Sequence, residues 1–473
     1  MKNTGIHAII IIQHNSLIDA AIVQPSALEQ ICGQPALIYT TKLLASLEIP
    51  TTVVLDAHSN QRDAQAVETA LRQYHGDTVK IDKALPTTSG EDLLILKGAL
   101  PLLSAEIVTR LHAEHTATQA ALSIITAYNE DPKLIGYERN SYTTIDQELY
   151  CVNAGIVLIQ RSFLEQCGAE LATHSVEDLV KKADAVGKKV TKFAVPFDAI
   201  RRINTFQDLW AIEHIQRSAL ITQWMHKGVR FAAPHTVHVD VAVTIGKGSH
   251  IGTGVHLFGT TTIGTNCQIH EFSSLDHATL GNNSTVYSHS VIRKSSIGAQ
   301  AMIGPFAHLN GDNAVGDQAT IGNFVEIKRS TIGTKTKVKH LSYLGDAQLG
   351  TGVNIGAGTI TCNHDGFNKH TTIIEDNAYI GTNTTLVAPL TIGHDAFSAA
   401  GSTITKNIPS FALAIARTRQ TNKEGYVHLL REKKATIKAQ ITTDQASFSE
   451  NAGQTTSFIG AVKPSPKTTP TKI

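Results

Sequence analysis

Chemistry-bearing side chains gather in one part of this chain. Lys328, His340, Tyr343, Asn354, Asn363, His364 and Lys369 all fall between residues 322 and 372. Histidine is the side chain whose ordinary pKa lies near neutrality, which makes it the residue type suited to a general base. Lysines offer charge-assisted donors suited to an anion. Taken alone, a histidine more often caps a structural edge, and a lysine is usually a solvated charge. The setting of these residues is what separates them from that background.

The setting is a repeat. From about Val243 to Ile404 an aliphatic residue returns at every sixth position. Ile245, Ile251, Leu257, Ile263, Ile269 and Leu275 make one train, Ile303, Leu309, Val315, Ile321 and Ile327 a second, and Ile374, Ile380, Leu386 and Ile392 a third. A period of six matches neither a helix at 3.6 nor a lone strand at 2. It predicts a triangular coil of three short strands, each sending one aliphatic side chain inward, with Gly or Asn at the turns. One such coil cannot bury its own inner face, so coils must stack. The register breaks between Ile355 and Ile374, in a polar stretch rich in Gly, Asn and His. An interruption in a regular scaffold is where a functional loop is carried.

Ahead of the repeat, apolar runs at Ala8–Ile12, Thr52–Leu55, Leu93–Leu96, Ala121–Ile125 and Ala154–Ile159 alternate with helix-like stretches such as Ala36–Leu47 and Ala64–Tyr74. That alternation predicts an α/β domain with a mostly parallel sheet over residues 1–203. A nucleotide site in such a sheet normally carries a Gly-rich loop after the first strand, because Gly lets backbone N–H groups close on a phosphate. Here the strand runs into Gln13-His14-Asn15-Ser16-Leu17-Ile18-Asp19, which has no glycine. Residues 204–228 read as a connecting helix, with Thr205 and Asp208 spaced as a capping box and Gly228 as its C-cap. The repeat domain then spans 229–425, a short charged helix 426–441, and a polar tail expected to be disordered 442–473.

Composition narrows the function. The 473 residues carry a net charge of +1, which gives no electrostatic reason to expect nucleic acid or an anionic membrane. Five scattered cysteines without Cys-x-x-Cys spacing suggest reduced thiols in a cytoplasmic protein rather than a disulfide framework or a zinc site. The apolar run Ile6–Ile12 is too short to span a membrane and lacks a signal-peptide pattern.

Three segments carry a resemblance: Gly322-Asn323-Phe324-Val325-Glu326-Ile327-Lys328, Lys339-His340-Leu341-Ser342-Tyr343-Leu344-Gly345-Asp346-Ala347 and Asn354-Ile355-Gly356-Ala357-Gly358-Thr359-Ile360-Thr361-Cys362-Asn363. With Leu386-Val387-Ala388-Pro389 and Ala399-Ala400-Gly401, they resemble the acetyltransferase half of the bifunctional N-acetylglucosamine-1-phosphate uridyltransferase/glucosamine-1-phosphate acetyltransferase family. The resemblance is strong over residues 230–425 and weak over 1–229. It implies a Rossmann-like nucleotidyltransferase domain followed by a left-handed parallel β-helix that forms a homotrimer with active sites between subunits. It also implies acetyl-CoA as acetyl donor and a small amino-sugar phosphate as acceptor. By that resemblance His340 is the catalytic base, and Lys328, Tyr343, Asn354 and Lys369 bind the sugar phosphate. Ala357 offers a backbone N–H near the thioester oxygen, while Asn363, His364, Thr382, Ala400 and Arg417 occupy acetyl-CoA positions.

The chain also departs from the family pattern. Asn310 stands where the family carries an arginine that grips the sugar phosphate, and loss of a charged hydrogen bond costs about 1.5–3 kcal/mol. His308 or Arg329 is a candidate to substitute. His364 replaces a tyrosine, Tyr426 a tryptophan and Thr382 a serine. In the first domain the phosphate-binding arginine and lysine have no counterpart in Gln13–Ser16 and Gln24–Leu28. The metal-binding aspartate is replaced in Gly98-Ala99-Leu100-Pro101-Leu102, and Thr87-Thr88-Ser89-Gly90 is a reduced form of the uracil-contacting segment. Asn204 matches the second metal ligand, but alanine cannot hold Mg²⁺. The expectation is an acetyltransferase acting on glucosamine 1-phosphate, with an inactive uridyltransferase half that holds no metal. A non-catalytic paralogue binding sugar nucleotides or partners, and a fully bifunctional enzyme, are the alternatives.

Overall fold

The computed structural model describes residues 5–12, 26–55, 61–82, 92–128, 144–146, 151–167 and 175–453. Strand Ile6–Ile12 is buried along its whole length and runs parallel to Thr51–Leu55 on one side and Asp92–Lys97 on the other. Its unbroken apolar run is what a strand covered on both faces requires. The sheet continues in the order Val190–Pro196, Leu122–Tyr128, Cys151–Ile159, Asp92–Lys97, Ile6–Ile12, Thr51–Leu55, Lys80–Asp82, with Thr144–Asp146 beside Cys151–Ile159. Cys151–Ile159 is antiparallel to both Asp92–Lys97 and Leu122–Tyr128, so the sheet is mixed. An apolar run carries no information on strand direction, which the connections decide.

The helix Phe206–His226 begins with the expected capping box. The Thr205 hydroxyl accepts from the Asp208 N–H at 3.1 Å, and the Asp208 carboxylate accepts from the Thr205 N–H at 3.0 Å. Gly228 follows its C-terminus at φ +87, a conformation that disfavours any residue with a Cβ. Ile212 and Leu220 pack in the core of the α/β domain, whereas Ile221 packs in the core of the repeat domain. The Val241 N–H also donates to the Cys32 carbonyl at 2.9 Å. The helix and this bond tie the first coil of the repeat to the α/β domain.

The repeat domain is a parallel β-helix. Its inward residues form one continuous aliphatic core from Val229 to Ile408. Each fully buried aliphatic side chain contributes about 1.5–3 kcal/mol, so the stack is stabilised cumulatively. Ile245 pairs with Ile263 and Ile263 with Leu280, so the coil is eighteen residues long and then seventeen. The lost residue comes from one corner. Phe258 is separated from Thr262 by three residues, but Asp276 from Thr279 by two, with His277 turning the chain at φ +50. Arg329 and Asp346 make the same tight corner at φ +48. These shortened corners break the period of six into separate trains. The interval from Leu349 to its partner Ile374 contains the expected insertion.

Residues 417–473 form a separate unit. Its helix runs Tyr426–Gly453, past residue 441 where the sequence predicts an end and into the stretch expected to be disordered. Its described side chains, to residue 445, are exposed. Helix formers such as Ala439, Gln440, Ala446 and Glu450 sustain it without a core, which a reading of overall polarity misses. The rest of the tail, the loop after the first strand and the Thr87–Gly90 segment lie outside the described residues.

Candidate active site

His340 ends the strand Lys337–His340 on the first face of its coil, at the corner before Tyr343–Gly345. Asn323 occupies the same position one coil earlier, and its amide oxygen lies 2.9 Å from His340 Nδ1. With Nδ1 donating to that oxygen, Nε2 keeps its lone pair and faces out as a proton acceptor. The His340 carbonyl accepts from the Gly358 N–H at 3.3 Å and the Ser342 hydroxyl at 2.8 Å, which pins the corner.

Successive coils place three expected residues in file with His340. Pairing of Val338 with Ile355 and of Ile355 with Ile380 puts Ala357 and then Thr382 at the His340 position. The backbone repeats one bond at each step. Leu341 donates to Asn323, Gly358 to His340, Asn383 to Ala357, and Gly401, next after Ala400, to Thr382. Coils lie about 4.8 Å apart, so Asn323, His340, Ala357, Thr382 and Ala400 form a row about 19 Å long. The Ala357 N–H has no partner among the described residues and is available to an oxygen placed beside it.

The next residue along this corner changes character at His340. Phe272, His289, Phe306 and Phe324 form a stack with ring centroids 5.0–5.3 Å apart. Leu341 continues it, but Gly358, Asn383 and Gly401 take the position in the following coils. Gly358 sits at φ +72, and a Cβ there would collide with the Asn383 side chain. The corner is thus bulky on one side of His340 and low on the side of Ala357, Thr382 and Ala400.

A second cluster lies on the short face that follows. Lys328 pairs in register with Gly345, and Tyr343 with Glu326. A Cβ at Gly345 would collide with the Tyr343 hydroxyl and the Asn363 amide, so Gly345 leaves room for both. The neighbouring corner holds Arg329, whose Nε and Nη2 donate to the two oxygens of Asp346 at 2.7 and 2.8 Å. The Asn363 amide donates to the same carboxylate. The Arg329 bond, followed by that of Asn363, holds the Asp346 carboxyl below the usual range against its partial burial. Arg329 is therefore committed and cannot take the place of the arginine replaced by Asn310, as its position in sequence suggested. Asn363 is 8 % exposed and acts here as a clamp on Asp346.

The insertion carries Lys369 and His364, bridged to each other as an antiparallel pair and both exposed. Asp365 accepts from the Asn368 and Phe367 N–H groups at 2.6 and 2.8 Å and from His370 at 2.8 Å. Those bonds, the Asn368 N–H first, hold its carboxyl well below the usual range and stiffen the loop. Asn354 sits on the first face, in register with Lys337 and Tyr379, away from the Lys328 cluster. Arg417 opens the separate C-terminal unit.

The α/β domain has a cavity at the carboxyl ends of its central strands. It is lined by Ile12, Ser26, Ala27, Lys97, Gly98, Ala99, Arg202, Ile203 and Asn204. Burial, and then the nearby Arg202 guanidinium, pull the Lys97 pKa down. Arg202 reaches across Gly98 and Gly155, and its Nη1 donates to the Lys97 carbonyl at 3.3 Å. No carboxylate is among the described lining residues. Among the described residues no cluster of His, Cys, Asp and Glu is placed to hold a metal, and no helix is long and apolar enough to cross a membrane. The described lining, with two cations and one amide, does not fit Mg²⁺, which needs several oxygen ligands.

Fold and site together define a two-part protein in which an α/β domain of the nucleotidyltransferase type precedes a hexapeptide-repeat β-helix with a histidine-centred row. The chain is 34% identical over 428 residues to "Bifunctional protein GlmU" of Halalkalibacterium halodurans, covering 85% of this chain and 94% of that protein. It is 35% identical over 427 residues to the same-named protein of a Synechococcus species, strain CC9605, covering 85% and 95%, and 37% over 396 residues to that of Synechococcus elongatus, covering 79% and 86%. It belongs to the GlmU family. No family model matches the chain. A solved UDP-N-acetylglucosamine acyltransferase from Arabidopsis aligns with 44% of this chain and 76% of its own at 18% identity and a TM-score of 0.34, too low to bear on the argument.

Proposed function

We propose that this protein is an acetyl-CoA-dependent N-acetyltransferase of glucosamine 1-phosphate, working through its β-helix, and that its uridyltransferase half is inactive. The observation that carries the reading is the row Asn323–His340–Ala357–Thr382–Ala400, with Lys328 and Tyr343 on the adjoining face. His340 Nε2 takes the proton from the sugar amine as the amine attacks the thioester carbonyl. The Ala357 N–H donates to the oxygen that becomes negative as the tetrahedral intermediate forms. Collapse of that intermediate breaks the C–S bond, and the sulfur leaves with a proton. The low side of the corner, past Thr382 and Ala400, accommodates the long arm of the donor. Lys328 and Lys369 counter the acceptor phosphate.

Asn354 lies on a different face from the Lys328 cluster, which supports assembly between subunits. In a homotrimer one copy would present its first face to the neighbour's second. Operation in the cytoplasm accords with the free cysteines: burial pushes the Cys32 thiol up to about 12, so it stays protonated and inert.

For the first half, Ala99 in place of a carboxylate and the Lys97–Arg202 pair in the cavity support the loss of metal-assisted chemistry. Without a metal or phosphate-gripping loop, phosphoryl transfer has no electrostatic stabilisation. A second reading, a non-catalytic paralogue that binds sugar nucleotides or partners, is favoured by Asn310. The discriminating experiment is thiol release from acetyl-CoA on adding glucosamine 1-phosphate, with and without His340→Ala. Release that depends on His340 supports the enzyme, and none from the unmutated protein against a panel of amino sugars overturns it. UTP turnover with Mg²⁺ by the full-length chain would establish instead that both halves work.

A further inference from the structure

The acceptor's phosphate is a dianion, and a single lysine on an open face is a weak match for it. The β-helix stacks residues of one row directly above one another, so neighbours in space lie one coil apart in sequence. Arg293 pairs in register with Asn310, and the pairing of Leu309 with Ile327 puts Lys328 next in the same row. Arg293, Asn310 and Lys328 thus occupy three consecutive coils about 4.8 Å apart, a step shorter than an extended arginine side chain. Arg293 is exposed, and Asn310 and Lys328 are half-buried.

The charges nearby are already allocated. Arg329 is held by both oxygens of Asp346. Asp276, one coil from Arg293 on the side away from Asn310, takes the His277 Nδ1 at 2.6 Å. No ion pair joins Arg293 or Lys328 to an acid among the described residues. The Asn310 amide makes no hydrogen bond among the described residues and stands between the two cations.

We propose that Arg293 is a substrate-binding residue that, with Lys328 and the Asn310 amide between them, grips the phosphate of the amino-sugar acceptor. The inference rests on the sugar-phosphate reading above. It assigns the guanidinium to the coil before Asn310, where linear sequence comparison has no reason to look. A planar guanidinium donates to two phosphate oxygens at once, and the amide and ammonium donate to the third.

The test uses the full-length protein at saturating acetyl-CoA, with glucosamine 1-phosphate and unphosphorylated glucosamine as acceptors. Arg293→Ala should raise KM for glucosamine 1-phosphate about ten- to a hundredfold, the range for a lost charged hydrogen bond. It should leave kcat within about twofold, and leave turnover of glucosamine and KM for acetyl-CoA unchanged. Arg293→Lys should recover part of the loss, which a packing role for an exposed side chain would not give. Calorimetric titration with N-acetylglucosamine 1-phosphate provides a readout independent of turnover. Binding that depends on Arg293 without turnover upholds this inference and sinks the enzyme reading. Normal turnover with an unchanged KM in Arg293→Ala overturns the inference and spares the enzyme. Neither binding nor turnover in the unmutated protein overturns both.

Discussion

The two halves of this chain have kept the same thing, a core, and differ in what stands at the ends of it. In the α/β domain the strands Ile6–Ile12, Asp92–Lys97 and Cys151–Ile159 pair in one sheet. The cavity at their ends nevertheless holds Lys97, Arg202 and Ala99, with no carboxylate among its described lining residues. In the β-helix the core is equally continuous, and the residues outside it line up as a histidine with its partner amide, an N–H without a partner among the described residues, and a low groove. On the proposed reading, the contrast separates a scaffold from its chemistry. The stability of a sheet resides in the inward residues, so the outward residues at strand ends can change without unfolding it.

His340→Ala breaks the comparison most directly. It should lower kcat by about 10²- to 10⁴-fold, the usual contribution of a general base. The exposed histidine supports no core, so thermal unfolding should stay where it is; a lowered midpoint would mean the activity loss is structural. Next in size, Asn323→Ala should lower kcat by about tenfold, as part of that 10²–10⁴ range, because Nδ1 loses the acceptor that keeps the proton off Nε2. Asn323→Asp, which keeps an acceptor for Nδ1, should restore part of the rate, and an unchanged kcat in Asn323→Ala would remove Asn323 from any part in the reaction.

The Arg329–Asp346 pair separates structural from functional charge on the same face. Asp346 is held below its ordinary value, so its stabilising contribution is full above the unfolded carboxyl range and is lost as pH falls through the folded value. Arg329→Ala should therefore cost about 1 kcal/mol in urea unfolding at pH 7 and progressively less below about pH 4. A gap that stayed constant with pH would contradict that assignment. The smallest expected effect is in the other half. Ala99→Asp returns a carboxylate but leaves Lys97 and Arg202 in the cavity, so UTP turnover with Mg²⁺ should stay at background. Measurable turnover would show that one side chain alone separates this half from an enzyme.

Much of this was legible in the sequence. The six-residue period marks inward residues because a triangular coil repeats its geometry at each side, and the interruption after Ile355 marks the insertion. His340, Lys328 and Tyr343 stand in motif segments that can be read letter by letter. Asn323 was legible only as a letter in such a segment. Its bond to His340 spans one coil, and the coil length changes at tight corners such as His277 that break the period instead of announcing themselves. The same reason hides Arg329, which sequence offered as a replacement phosphate ligand and the stack gives to Asp346. The direction of Cys151–Ile159 is set by its connections, and the length of Tyr426–Gly453 by local propensity in a helix whose described side chains are exposed.

By itself, then, the chain's sequence determined the two domain types, the linking helix with its Thr205–Asp208 cap, and the place of His340 within its motif segment. These depend on short-range patterning, where each residue's neighbours in sequence are also its neighbours in space. Tertiary structure alone decided which side chains share a row: Asn323 with His340, Arg293 with Asn310 and Lys328, Arg329 with Asp346. Parallel stacking sets residues about seventeen or eighteen positions apart at contact distance, and the count for each coil is fixed by how its corners turn.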